Sequence, residues 1–239
     1  WNEYPVLHFS LAGGKHMEKE KLEHYLLFIL KTNEEKFGIT CDSPDPNIRM
    51  LNLIQTVYEK TGKQPVVLID EYDAPLLDVV HEGTSLDILR NVMRNFYSPL
   101  KDCEKMLRFV FLTGITKFSQ LSIFSELNNI TNISMDTPYA GICGITKEEL
   151  MTQMSDDIDR LSEKLSLSHD ETLERLKQHY DGYHFAWPSP DIFNPFSLLN
   201  CFSKQKMDSY WFGSGTPTYL INMMRKYAFT PIDLGEKME

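Results

Sequence analysis

The residues best suited to chemistry in this 239-residue sequence stand together directly after an apolar run. Residues 66–69 are all apolar, Asp70 and Glu71 follow at once, and Asp73 comes two residues later. Carboxylates at the end of a buried strand can hold Mg²⁺ through oxygen ligands and can orient or deprotonate an attacking water. The pattern therefore predicts Asp70 and Glu71 as catalytic residues and Asp70 and Asp73 as metal-binding residues.

A second apolar run supports this interpretation, although each motif also has a plainer explanation. Acidic residues often follow a buried strand only because solvent lies there, and an apolar run with Asp-Glu is a short motif. Thr113 follows the apolar run that ends at Leu112, and Lys117 lies four residues later. We predict that Thr113 and Lys117 contact the γ-phosphate of a nucleotide, although a lone Thr at a strand end is more often a structural cap.

Two glycine-containing segments are further candidates. Gly215, Thr216 and Pro217 are predicted to pack against the nucleotide base, although a turn that opens a helix also accounts for them. Residues 13–16, Gly-Gly-Lys-His, lack the spacing and the Ser or Thr of a phosphate-binding loop, so they are interpreted as a strand-to-helix turn. No G-x-x-x-x-G-K-[ST] motif occurs in the sequence, so this chain lacks the loop that would cradle phosphates.

The elements that must position these residues alternate along the chain. Apolar runs predict strands at residues 6–11, 66–69 and 108–112, and helical spacing predicts helices at residues 22–30, 48–58 and 86–96. The alternation predicts an α/β fold with a parallel sheet, helices on both faces, and a site at the carboxyl ends of the strands. A further short strand is predicted at residues 139–143.

The character of the sequence changes near residue 145. Thr146 with Glu149, and Ser168 with Glu171, have the capping-box spacing, and each pair predicts the start of a helix. We therefore predict a core domain at residues 1–145 and a mostly helical lid domain at residues 146–239.

Composition limits the classes of function. Lys and Arg number 24 against 34 Asp and Glu, and the net charge of −10 argues against a surface that wraps nucleic acid. No apolar run is long enough to span a bilayer. The cysteines are far apart and form no C-x-x-C pair, which predicts a reduced, cytoplasmic protein without a zinc ribbon. They are Cys41, Cys103, Cys143 and Cys201.

With these motifs in order, the sequence resembles the AAA-ATPase-like family of bacterial predicted ATP-binding proteins, which often carry a C-terminal PD-(D/E)XK nuclease-like domain. The resemblance covers nearly the whole chain. It is carried by YPV at residues 4–6, VLIDEYDAPL at 67–76, FLTGITKFS at 111–119, SIFSELNN at 122–129, YDGY at 180–183, NPFS at 194–197 and YWFGSGTP at 210–217.

The resemblance implies a P-loop NTPase-like parallel sheet flanked by helices, with a Walker B strand ending at Asp70 and Glu71, followed by a helical lid. It implies ATP and Mg²⁺ as cofactors of the intact protein and no membrane partner. In the family a modified phosphate-binding loop precedes the first strand seen here, so the core is interpreted as incomplete. Nucleic acid would be met only through a nuclease-like domain beyond Glu239.

Three functions follow as alternatives. The first is an ATP-binding or ATP-hydrolysing module, of which this chain alone is expected to bind nucleotide weakly or not at all. The second is a non-catalytic scaffold for partner proteins built on a degenerate ATPase fold. The third is a nuclease metal cluster of Asp70, Glu71 and Asp73, against which the acidic net charge counts.

Overall fold

The computed structural model of the chain describes residues 2–13, 18–77, 79, 83–115, 129–182 and 184–210. Contacts divide the chain into two units, Trp1–Thr131 and Asn132–Glu239, whereas the sequence places a boundary near residue 145. None of the described helices combines the length and the apolar character needed to cross a lipid bilayer.

The first unit alternates strands and helices. Its strands are β1 (Val6–Ser10), β2 (Val66–Asp70) and β3 (Phe109–Leu112). Its helices are α1 (Lys19–Lys36), α2 (Pro46–Thr61), α3 (Ala74–Leu77), α4 (Gly83–Tyr97) and α5 (Pro99–Asp102), with a 3-10 turn at Glu104–Met106. These bounds confirm the three strands and the three long helices predicted for this part of the chain.

The strands form a parallel sheet with the order β1-β2-β3. Val66 of β2 pairs with Val6 on one side and with Phe109 on the other, and the register continues to Ser10 opposite Asp70. Because all three strands point the same way, their carboxyl ends meet at one edge of the sheet. The predicted parallel α/β sheet is thereby confirmed for the first unit.

One face of this sheet carries the hydrophobic core. Side chains at alternate positions of β1 and β2 are at most 2% exposed and pack against α1, α2 and α4. On the strands these residues are Leu7, Phe9, Val67 and Ile69. On the helices they include Leu22, Leu26, Leu30, Met50, Leu53, Ile54, Leu89, Met93 and Phe96. Helices and sheet thus form two layers around a single core.

The opposite face of the sheet differs from the prediction. In the described part of the unit, the helices of the core pack on one face, and Phe109 on the other face is 54% exposed. The physical reason is the direction of the chain, because both crossovers advance from β1 through β2 to β3. Parallel crossovers are almost always right-handed, so two crossovers in the same direction place their helices on the same face.

The second unit is mostly helical around a core of its own. Its helices are α6 (Lys147–Gln153), α7 (Ser155–Leu165), α8 (His169–Tyr180) and α9 (Pro195–Lys204). Strands β4 (Ile145–Thr146) and β5 (Ile192–Phe193) form a short antiparallel pair. Its buried core contains Leu150, Ile158, Leu161, Leu176, Tyr180, Phe193, Leu198, Cys201 and Phe202.

Two predictions for this unit have opposite outcomes. Both capping boxes are confirmed, because Thr146 caps α6 with Glu149 and Ser168 caps α8 with Glu171. The strand predicted at residues 139–143 is wrong. That stretch begins at the end of the 3-10 turn Thr137–Tyr139 and continues as turns. The flanking proline and glycines favour turns over a strand ladder.

Candidate functional site

Three polar residues meet at the carboxyl edge of the parallel sheet. Ser10 ends β1 and is in register with Asp70, which ends β2. Thr113 follows β3 directly, and its main-chain N–H donates to the carbonyl of Ile69 at 2.9 Å. The Thr113 hydroxyl donates a hydrogen bond to Asp70 Oδ1. The sequence predicted that Asp70 and Thr113 share this edge, and the structure brings them into direct contact.

Glu71 lies at the turn that leaves β2. Its φ is 55°, in the left-handed region, which costs a non-glycine residue about 1–2 kcal/mol. Two hydrogen bonds hold the turn. The Glu71 carbonyl accepts from the N–H of Ala74 at 3.0 Å, and the N–H of Tyr72 donates to the carbonyl of Thr113 at 2.9 Å. Glu71 remains partly exposed and Asp70 is exposed, so both carboxylates can be reached from solvent.

A buried layer lies beneath these carboxylates. Asp73 is 0% exposed and Tyr72 is 3% exposed. Asp73 Oδ2 accepts the N–H of Ile115 at 3.0 Å, and the Tyr97 hydroxyl of α4 donates to the Tyr72 carbonyl at 3.0 Å. Burial raises the pKa of Tyr97 well above its usual value, and the nearby Asp73 charge adds to the rise. Tyr97 is therefore a neutral hydrogen-bond donor.

The donor set at the edge is compatible with Mg²⁺. Within the described ranges, no group of three or more His, Cys, Asp or Glu residues is arranged to hold a metal ion. Mg²⁺ does not need such a cage, because it commonly binds through one or two carboxylates, several waters and substrate phosphates. Asp70 is an exposed carboxylate of this kind and already accepts a hydrogen bond from Thr113.

Some site residues were missed by sequence reasoning, and others fall outside the described residues. Ser10 was missed, although it is the polar end of a predicted strand and a parallel register would have aligned it with Asp70. The Tyr25 hydroxyl of α1 donates to the Ser10 carbonyl at 2.9 Å. A Cβ on Gly13 would lie 2.3 Å from that hydroxyl, so any other residue there would have to displace the Tyr25 ring. The predicted residues outside the described ranges are Lys117, Gly215, Thr216 and Pro217.

Comparison with known proteins identifies a family whose model covers the residues of this edge. Residues 1–124 match the family model AAA-ATPase-like, described as predicted AAA-ATPase, which is more than half of the chain. The chain belongs to the AAA-ATPase-like family. The match includes the strands β1, β2 and β3, and therefore Ser10, Asp70, Glu71 and Thr113. The family recognised from the sequence motifs is confirmed.

One curated relative extends the similarity beyond the family model. The chain is 35% identical over 229 residues to an uncharacterized protein in the vnfD 5′ region of Azotobacter chroococcum mcd 1. The alignment covers 95% of this chain and 42% of that relative, so the chain spans less than half of the relative's length. No solved structure matches the chain.

Proposed function

We propose that the protein containing this chain binds and hydrolyses ATP with Mg²⁺ at the carboxyl edge of the parallel sheet. The observation that carries the proposal is the hydrogen bond from the Thr113 hydroxyl to the exposed Asp70, beside the partly exposed Glu71. In an open α/β sheet, ligands bind outside the carboxyl ends of the strands. Membership of a family described as predicted AAA-ATPase supports the same chemistry.

Each residue of the edge has a role in this proposal. Glu71 orients the attacking water and accepts its proton, Asp70 holds a water of the metal ion, and Thr113 fixes the Asp70 carboxylate and senses the γ-phosphate. When bound, Mg²⁺ neutralises charge on the phosphate oxygens. The left-handed turn at Glu71 supports a functional role, because strained backbone is often retained at sites of catalysis.

The two edges of the sheet differ in whether another strand can pair with them, and this difference limits where a phosphate-binding loop could lie. The outer edge of β1 is blocked, because the Asn33 side chain accepts the His8 N–H at 3.1 Å and donates to the His8 carbonyl at 2.8 Å. Lys36 also donates to the Val6 carbonyl at 3.0 Å. β3 ends the sheet on the other side, and no described strand pairs with its outer edge. A further parallel strand can therefore join only at β3.

The handedness of crossovers favours one position in the chain for such a strand. A strand beside β3 that leads back to β1 would cross the sheet against the direction of the existing crossovers. Its right-handed crossover helix would then lie on the open face, beside Phe109. We propose that a strand, a phosphate-binding loop and a helix preceding β1 complete the core in this way. That loop would lie at the edge with Thr113, about 10 Å, or two strand spacings, from β2.

The lid predicted at residues 146–239 belongs to the same proposal. The described part of the second unit is mostly helical, which is compatible with a helical lid over a nucleotide. We propose that Gly215, Thr216 and Pro217 contact the base and that Lys117 contacts the γ-phosphate. The 239-residue chain alone is then expected to bind ATP weakly.

The test is ATP turnover by the protein containing this chain and by its Glu71→Gln variant. The substitution keeps the size of the side chain and removes the carboxylate, so we expect turnover to fall by about 10²–10⁴-fold. Glu59→Gln on the exposed surface of α2 is the matched control, with turnover unchanged. Turnover that survives in Glu71→Gln would remove Glu71 from the mechanism.

Nucleotide titration separates this function from the non-catalytic scaffold. A magnesium-dependent ATP site predicts that the protein containing this chain binds ATP and that this binding weakens when Mg²⁺ is withdrawn. Asp70→Asn should reduce this dependence on Mg²⁺, because it removes the charged oxygen that holds a water of the metal ion. A protein with neither turnover nor Mg²⁺-dependent binding would be a scaffold.

A further inference from the structure

We propose that Asp73 is a positioning residue whose buried carboxylate fixes the main chain after β3 and so holds Thr113 against Asp70. The test of this inference by ATP turnover rests on the proposed function, whereas its test by hydrogen exchange does not. The sequence placed Asp73 among the metal-binding residues, but its surroundings favour a different task. It lies in the buried layer under the edge, with 0% of its surface exposed.

Asp73 is buried, whereas its two acidic neighbours are accessible to solvent. Asp70 is exposed and Glu71 is partly exposed. A carboxylate without contact to solvent must be compensated by hydrogen bonds, and the Ile115 N–H lies 3.0 Å from Asp73 Oδ2 and 3.3 Å from Oδ1. Mg²⁺ keeps several waters when it binds to protein, and a hydrated ion needs an accessible oxygen. Asp73 therefore suits an internal contact better than a metal ligand.

The contact lies where the loop after β3 needs an anchor. The main-chain pairing of the two loops reaches Thr113, whose N–H donates to Ile69 and whose carbonyl accepts from Tyr72, each at 2.9 Å. Asp73 extends the attachment two residues further. The Ile115 side chain is 70% exposed and cannot anchor the segment by packing, so its amide provides the attachment.

The close approach of the two loops supports this role. Gly114 lies between Thr113 and Ile115, and a Cβ there would lie 2.6 Å from Asp73 Oδ1 and 2.4 Å from the Tyr72 ring. The Tyr97 hydroxyl in turn holds the Tyr72 carbonyl. Helix α4, the loop after β2 and the loop after β3 are thus joined under the edge. A shift of Asp73 would be transmitted to Thr113 through one glycine.

The experiment compares Asp73→Asn with Asp73→Ala. Asn has the same length and keeps an oxygen that accepts the Ile115 N–H, whereas Ala removes the acceptor. In the 239-residue chain, we expect hydrogen exchange at the Ile115 amide to accelerate by at least about tenfold in Asp73→Ala and to stay near wild type in Asp73→Asn. Exchange at the buried core residue Leu53 of α2 serves as the control for intact folding.

The second readout is ATP turnover by the protein containing this chain. Misplacement of Thr113 should lower turnover in Asp73→Ala by up to about 10²-fold, while Asp73→Asn restores most of it with an unchanged half-saturating Mg²⁺ concentration. A metal ligand behaves differently, because Asp73→Asn would raise the Mg²⁺ requirement about tenfold or more and leave Ile115 exchange unchanged.

Each outcome decides one of the two proposals. Unchanged Ile115 exchange in Asp73→Ala, or a raised Mg²⁺ requirement in Asp73→Asn, overturns the positioning role. If Asp73→Ala loses protection at Leu53 as well and has unfolded, the Mg²⁺ requirement of Asp73→Asn still decides between positioning residue and ligand. If the wild-type protein shows no turnover, the ATPase proposal fails, while hydrogen exchange still tests the Asp73 contact.

Discussion

At the scale of single residues, Gly114 is where the two loops of the candidate site approach most closely. A methyl group there would lie within 2.4 Å of the Tyr72 ring, and Tyr72 is 3% exposed and cannot swing into solvent. We therefore predict that Gly114→Ala destabilises the chain by about 1–3 kcal/mol in urea unfolding, the cost of overpacking a filled interior. The loss should be accompanied by faster exchange at the Ile115 amide.

The control for this prediction is another glycine with space around it. A Cβ on Gly83, at the start of α4, would meet no atom of the described residues within 4 Å. Gly83→Ala should leave stability unchanged or raise it by up to about 1 kcal/mol, because alanine favours the helix. Equal effects of the two substitutions would show that Tyr72 and Asp73 yield easily, which would weaken the case for a fixed contact.

The sequence predicted the positions of residues that end neighbouring strands, but it did not predict which residues are buried beneath those strand ends. Asp70 and Thr113 could be paired from the sequence because parallel strands end at a common edge. Asp73 lies three residues past the end of β2, and no periodicity in the sequence predicts that the left-handed turn at Glu71 directs this side chain inward. The positive φ has no sequence signature, since glycine or asparagine would be usual there.

At the scale of elements, the capping boxes make the helices of the second unit sensitive to acid. Glu149 Oε2 accepts the Thr146 N–H at 2.9 Å, and Glu171 Oε2 accepts the Ser168 N–H at 2.9 Å. These bonds lower the pKa of both carboxyls below the ordinary 4.5. A lowered folded-state pKa stabilises the fold above the unfolded value, and this stabilisation is lost as pH falls through the folded value.

We predict that Glu149→Gln with Glu171→Gln is less stable than wild type near neutral pH. The difference in stability should shrink as the pH falls from about 6 to about 3, because wild type loses its carboxylates over this range. Urea unfolding at a series of pH values measures it, and Glu174→Gln, on the exposed middle of α8, is the control without a capping role. A difference independent of pH would contradict the explanation.

Element types were predictable where local patterns govern them. The run at residues 66–69 and the two capping boxes are local, and the structure confirms the elements that they predict. The strand predicted at residues 139–143 is wrong because a short apolar stretch has no strand partner of its own, and Pro138 and Gly141 turn the chain. The one-sided helix layer required knowledge of the strand order, which no single segment contains.

At the scale of the whole molecule, one face of the parallel sheet, which carries Phe109, has no helix layer in the described part of the chain. The strand and helix proposed to precede β1 would cover this face. Phe109 and Phe111 stack on this face with ring centroids 6.0 Å apart. Parallel sheets normally have both faces covered, so the exposed Phe109 beside the half-buried Phe111 marks a surface that another layer can bury. The proposed helix preceding β1 supplies that layer from the same polypeptide.

One substitution in two lengths of the protein tests this arrangement. Phe109 is 54% exposed in this chain, so Phe109→Ser should change its stability by no more than about 0.5 kcal/mol. In a protein that carries the proposed helix before β1, the same side chain would lie beneath that helix, and the loss should reach about 1–3 kcal/mol. Phe28→Ser, at a 63% exposed position on α1, should have a small effect in both. A small effect of Phe109→Ser in both lengths would mean that the face stays open, and the proposed position of the phosphate-binding strand beside β3 would lose its support.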